Sequence, residues 1–153
     1  MESEKLFIDY GSGYSPYNGY KTADVTGFPN LDFLIVNNKI FNKDSEISKD
    51  SVNGFRLRNV IHHIKDLEDL FSNLKSYLQL GGTIEIIECS KQNFAANFFL
   101  DFLWYRVIIP RYDIWFSKGY RDYISIAKHY GFSLVEYKEE AEKEYVLLKL
   151  VKK

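Results

Sequence analysis

Short apolar runs separated by turn residues fill the first sixty positions. Lys5 to Tyr10 is such a run, and it ends in Gly11-Ser12-Gly13, the pattern of a buried strand feeding a glycine turn. Tyr20 to Val25 and Leu31 to Val36 repeat it, the second lying between Pro29-Asn30 and Asn37-Asn38. Phe41 to Asn53 is polar and predicts a loop, after which Gly54 to Val60 resumes a strand.

The period then changes. Leu67, Leu70, Phe71, Leu74, Tyr77 and Leu78 recur at helical spacing behind Asp66, a good N-cap residue, and Gly81-Gly82 marks a stop, so a helix is predicted over Asp66 to Leu80. Thr83 to Glu88 is the next strand, and Lys91 to Tyr105 the next helix. Gly119 to Tyr130 puts Tyr120, Tyr123, Ile124 and Ala127 on one helical face, with Gly131 in the C′ position. Phe132 to Tyr137 and Tyr145 to Val151 are final strands around the charged segment Lys138 to Glu144. Alternating strands and helices followed by a strand pair predict an α/β fold, a mixed, mostly parallel sheet of about seven strands flanked by helices, with an antiparallel last strand.

With 153 residues and no linker, repeat or low-complexity tract, the chain is expected to form one domain over 1–153. Cys89 is the single cysteine, which excludes an internal disulfide framework and fits a reducing compartment. A net charge of −1 argues against a protein that coats nucleic acid, since that task rests on neutralising many phosphates. The aromatic share is 17%, which fits either an aromatic-lined pocket or AT-rich coding. The first residues show no signal peptide, and Phe94 to Ile109 is interrupted by Asn97, Asp101 and Arg106, so no membrane span is expected and the expected location is cytoplasmic.

The chemistry concentrates where strands end. Leu6-Phe7-Ile8-Asp9-Tyr10-Gly11-Ser12-Gly13 joins an apolar strand, an acidic residue and a Gly-x-Gly turn, and glycines there let backbone approach a ligand. Asp24 stands at the tip of the next strand, where a carboxylate can accept two hydrogen bonds from a ribose diol. Arg58-Asn59-Val60-Ile61-His62-His63-Ile64-Lys65-Asp66 leads into the predicted helix, and Leu78-Gln79-Leu80-Gly81-Gly82-Thr83-Ile84 closes it. There is no Gly-Lys-Ser/Thr phosphate loop, and the histidine pair supplies too few ligands for a metal.

In this order the pieces resemble the class I S-adenosylmethionine-dependent methyltransferases, in a small, trimmed form, from Leu6 to Glu88 in register and more loosely to the C-terminus. The resemblance implies a Rossmann-like fold, S-adenosylmethionine as cofactor and methyl transfer to an unidentified acceptor. It puts Asp9, Gly11 and Gly13 around the methionine part, Asp24 on the ribose hydroxyls and Asn37 toward the adenine amine, with Ser12, Val25 and Asn59 completing the cofactor-binding set. Ser15 stands where the family usually has a third glycine. Only about ten residues separate Gly13 from Asp24, too few for a crossover helix, so Tyr14 to Tyr20 is expected as an ordered loop. Asn53 stands where the family commonly has aspartate.

His62 is the candidate catalytic base, for an acceptor that must lose a proton, and His63 is expected to pack against the helix start. Phe98 to Tyr120 holds both tryptophans. With the insertion over 91–119 that it overlaps, it reads either as a lid over the acceptor or as a self-association surface that would make a homodimer. The implied acceptor is a small molecule, with nucleic acid and protein as open alternatives. The rival function is a degenerate, non-catalytic relative serving in binding or dimerisation.

Overall fold

The structure, a computed structural model, describes residues 4–90 and 121–153. Among these, nine strands form one sheet: β1 (Phe7–Tyr10), β2 (Lys21–Asp24), β3 (Phe33–Val36), β4 (Lys39–Asn42), β5 (Ser45–Glu46), β6 (Val52–Arg58), β7 (Leu78–Cys89), β8 (Phe132–Glu140) and β9 (Lys143–Leu150). Their order is β5-β4-β3-β2-β1-β6-β7-β9-β8. The five strands from β3 to β7 in that order run parallel, and β9 is antiparallel to β7. The chain leaves β1 toward β2 and β3 and later returns to β6 on the other side of β1. Strand order therefore reverses at β1, where an open sheet leaves a crevice at its carboxyl edge.

The mostly parallel α/β sheet with its antiparallel end is the one expected, and the two strands beyond the expected seven come from a hairpin. Phe41 to Asn53, expected as a loop, contains β5 and the end of β4. Asn37 and Asn38 sit at φ 49° and 61° between Val36 and its antiparallel partner Lys39, as a two-residue hairpin turn of the primed type requires. The hairpin contributes one fully buried apolar side chain, Ile40, and the Tyr77 hydroxyl ties it down by donating to Glu46 Oε1 at 2.6 Å. So little apolar content left no alternating pattern to read.

Helix α1 (Leu67–Tyr77) starts where expected, with the Asp66 carboxylate accepting the Asp69 amide at 2.9 Å, and buries Leu67, Leu70, Phe71, Leu74 and Tyr77. It ends before Leu80. Leu78 is already extended and pairs with Val52, so Gly81-Gly82 lies inside β7 rather than capping the helix. The pair serves a register shift: Gly81 adopts φ +84°, and a Cβ on Gly82 would lie 2.8 Å from the Gln79 carbonyl oxygen.

Helix α2 (Tyr123–His129) buries Tyr123 and Ala127 and is followed by Gly131 at φ +97°. It packs against α1 and β8. Phe71 and Phe132 meet edge to face at 6.1 Å beneath them. The core on this side of the sheet includes Ile8, Tyr10, Phe55, Leu57, Ile84, Ile86, Val146 and Leu148, each worth roughly 1.5 to 3 kcal/mol of transfer free energy.

The charged segment Lys138 to Glu144, expected to separate the last strands, instead continues their ladder, with Glu140 paired to Lys143. Tyr14 to Tyr20 is free of helix, as expected for a connection this short. The helix expected over 91–105, the aromatic segment and the 91–119 insertion lie outside the described residues. Among the described residues, no helix is long and apolar enough to cross a membrane.

Candidate functional site

The glycine turn after β1 is fixed by β2. The amides of Gly11 and Ser12 donate to the Ala23 carbonyl at 2.7 and 3.1 Å, and the Gly13 amide donates to Asp24 Oδ2 at 2.7 Å. Gly11 and Gly13 occupy the left-handed region at φ +76° and +57°. The two differ in surroundings: a Cβ on Gly11 would fall 2.5 Å from Val60 Cγ2, whereas one on Gly13 would meet nothing within 4 Å among the described residues.

A cavity of about 430 Å³ opens in front of this turn, within the size range of small-molecule sites. Its wall is assembled from the carboxyl ends of four parallel strands: the glycine turn after β1, Asp24 at the end of β2 with Val25 behind it, Asn37 and Asn38 after β3, and Arg58, Asn59 and Val60 at β6. Ile35, Phe28 and Ile64 add apolar surface. Tyr14, 68% exposed, meets Phe28 edge to face at 4.9 Å.

Seven of the residues singled out in the sequence come together here: Gly11, Ser12, Gly13, Asp24, Val25, Asn37 and Asn59. Asp9 does not. It is buried on the sheet face opposite Ile8 and Tyr10, because strand side chains alternate. There Oδ2 accepts the Tyr17 amide at 2.8 Å and Oδ1 lies 4.0 Å from Arg56 Nη1. His62 also stays out of the lining. Its Nδ1 is 2.7 Å from Glu88 Oε1 in a buried pair, while His63, expected to pack, lines the cavity with its ring 4.0 Å from that of His62. Asn53, at the opposite end of β6, accepts the Leu6 amide and donates to Gln79 Oε1, a pairing that uses both halves of an amide.

Arg58 and Asn38 are wall residues that the sequence reading did not assign. Arg58 directly precedes Asn59 within the predicted strand Gly54 to Val60, and that position was the available signal.

Burial raises the Asp24 carboxyl above its ordinary value, outweighing the amides of Gly13 and Val25, which pull it down; nearby Asp9 adds to the rise. For Glu88, burial also pushes upward, but the hydrogen bond and charge of His62, with the Cys89 amide and His63, hold it below the usual range. The Ser12 hydroxyl is buried with no hydrogen-bond partner among the described residues. Each Asp24 oxygen accepts one amide and keeps one lone-pair site, so the carboxylate can still receive a pair of hydroxyls. Asn37 offers a carbonyl acceptor for an amine. The described residues contain no cluster of three or more metal-ligating side chains.

The model of the ubiE/COQ5 methyltransferase family matches residues 17–139. No curated protein matches the chain. Among solved structures, a methyltransferase from Aquifex aeolicus is similar at 13% identity and a TM-score of 0.63, covering 96% of this chain and 82% of that one. A Mesorhizobium loti methyltransferase is similar at 10% identity and a TM-score of 0.66, with 94% and 90% covered. The methyltransferase CalH in complex with SAH is similar at 15% identity and a TM-score of 0.64, with 96% of this chain but 51% of that chain covered. At these identities the likeness is one of fold.

Proposed function

Because the chain belongs to the ubiE/COQ5 methyltransferase family, and is thus an enzyme that uses S-adenosylmethionine, we propose that the cavity at the carboxyl ends of β1, β2, β3 and β6 is its cofactor site and that the acceptor is a small molecule. The observation that carries this reading is the convergence of Asp24, the glycine turn and the buried Ser12 hydroxyl on one cavity at the switch point of the sheet. These residues fit the cofactor. Asp24 would accept the ribose hydroxyls, Asn37 the adenine amine, and Ser12 would find in the ligand the partner it lacks among the described residues.

When bound, the cofactor supplies a methyl group on a sulfonium, a direct donor to a nucleophile. What the protein must add is position and exclusion of water. Gly11 and Val60 pack too closely for a side chain between them, which keeps that wall fixed. Where the acceptor must lose a proton, His63 is the imidazole that faces the cavity, and the buried His62–Glu88 pair backs it through the ring contact. A small acceptor is supported by the net charge of −1, which provides no surplus of cations for a polyanion.

Thermal melts with S-adenosylmethionine and S-adenosylhomocysteine test the reading. A ligand bound by the native state alone adds about 2.7 kcal/mol at a hundredfold excess over its Kd, or roughly 5 to 10 °C for a domain of this length. ATP and NAD should shift the melt less. No shift with either cofactor form at millimolar concentration removes the proposal.

A further inference from the structure

Among the described residues, the cavity wall carries one carboxylate, Asp24, and one arginine, Arg58, and they stand on opposite sides of the glycine turn. Asp24 ends β2 and Arg58 ends β6, the two strands that flank β1, so about 10 Å of sheet separates them. The two arginines of β6 have different surroundings. Arg56 is buried and is balanced by Glu85 at 3.5 Å, by Asp9 at 4.0 Å and by the Tyr17 ring, whose centroid lies 4.1 Å from Cζ. Arg58, two residues on, is exposed and pairs with no carboxylate among the described residues. Its hydrogen bond is a long one, 3.4 Å, from Nη2 to the Ser15 carbonyl oxygen in the loop beyond Gly13.

A planar fork of donors, unneutralised, on the wall of a small-molecule cavity suits a planar anion with two oxygens. S-adenosylmethionine has such a group, the α-carboxylate of its amino-acid end, on the far side of the sulfur from the ribose diol. With the diol over Asp24, the amino-acid end crosses the glycine turn toward β6. We propose that Arg58 holds this carboxylate and is the anchor of the cofactor's amino-acid half. The proposal rests on the cofactor site described above. An acidic acceptor could offer the same carboxylate chemistry to Arg58, and the two sources can be separated with ligands that carry no acceptor.

Calorimetric titration of wild-type protein, Arg58→Gln and Arg58→Lys with S-adenosylhomocysteine and with 5′-methylthioadenosine makes that separation. The second ligand keeps the adenosyl group and the sulfur but lacks the amino-acid end. Arg58→Gln should weaken S-adenosylhomocysteine by about 10- to 100-fold, the loss of a charged hydrogen bond, while 5′-methylthioadenosine stays within about twofold. Arg58→Lys, keeping the charge without the fork, should fall between. Equal loss for both ligands assigns Arg58 to the shape of the site and overturns the proposal. Unchanged affinity for both also overturns it, leaving the guanidinium to an acceptor. If wild-type protein binds neither ligand, the cofactor site itself fails and Arg58 with it. Melts of both variants without ligand report whether the fold is intact.

Discussion

Asp24 Oδ2 accepts the Gly13 amide at 2.7 Å, so the carboxylate proposed for the ribose also holds the turn proposed for the rest of the cofactor. Sheet order makes this contact available, since β2 lies beside β1 in parallel register with Ala23 opposite Tyr10. One side chain thereby links the two strand ends that the site needs, and its ionisation becomes part of binding.

The first prediction is a pH dependence with a definite sign. Burial raises the Asp24 carboxyl in the free protein, and ribose hydroxyls donate to its ionised form. Affinity for S-adenosylhomocysteine should therefore fall as pH falls, beginning above the ordinary aspartate value of about 3.9. For stability alone the sign is opposite. A carboxyl raised in the folded state favours folding at low pH, and that contribution is lost as pH rises through the folded value. Asp24→Asn should remove the acid-side loss of affinity and weaken binding by about 2 to 3 kcal/mol at neutral pH. Calorimetry between about pH 4 and 7 reads both; a wild-type Kd flat across that window takes Asp24 out of the site.

The two turn glycines should fail differently. Gly11→Ala combines a left-handed residue with a Cβ 2.5 Å from Val60 Cγ2, and a strained backbone alone costs about 1 to 3 kcal/mol, so the free protein should melt lower. Gly13→Ala meets no neighbour within 4 Å among the described residues and should cost the free protein less, while placing a methyl group on the cavity wall where it opposes the ligand. Melting curves and titrations of the two variants should therefore rank them in opposite order. The same order in both measurements would mean that Gly13 does not face the ligand.

How much of this was legible in the sequence follows from how far each signal is local. β1, β2 and β3, helix α1 and its Asp66 cap announce themselves within a few residues, because burial and capping act on neighbours in the chain. The hairpin β4–β5 escaped because Ile40 is its one fully buried apolar residue and the hydroxyl that ties it down belongs to Tyr77, 31 residues from Glu46 in sequence. At the site, Gly11, Gly13 and Asp24 were visible as punctuation at strand ends. That Asp9 turns away, and that His63 rather than His62 lines the cavity, depends on Arg56 and Glu88, partners that only the folded sheet brings near.

His62 should matter first for stability. Its Nδ1 meets Glu88 Oε1 at 2.7 Å, and both side chains are at least 92% buried, so His62→Ala leaves a carboxylate without its main partner in the interior. Breaking such a pair costs about 3 to 5 kcal/mol, a fall in Tm of roughly 6 to 20 °C here. Glu88 is held below its ordinary range in the folded protein, so the stability it contributes is present above the unfolded value and lost as pH falls through the folded one. Wild-type melts should drop in acid more steeply than those of Glu88→Gln. Equal acid slopes for the two proteins would show that the pair does not carry this linkage.

Asp9 is the motif's acidic residue, and its contacts in the structure are to the loop beside the cavity. Oδ2 accepts the Tyr17 amide, and Oδ1 faces Arg56, whose guanidinium in turn lies over the Tyr17 ring, so Asp9 and Arg56 together seat the loop whose first residues, Tyr14 and Ser15, reach the cavity wall. Asp9→Ala should destabilise the protein by about 3 to 5 kcal/mol and weaken S-adenosylhomocysteine and 5′-methylthioadenosine alike, since it displaces a wall rather than one contact. Arg56→Met should do the same less strongly. Because the two residues act on one loop, the double variant should lose less than the sum, with a coupling of about 0.5 to 3 kcal/mol. Denaturant melts of the four proteins supply the cycle, and titrations with the two ligands supply the test of role. A loss confined to the ligand that carries the amino-acid end would show that Asp9 meets the cofactor directly.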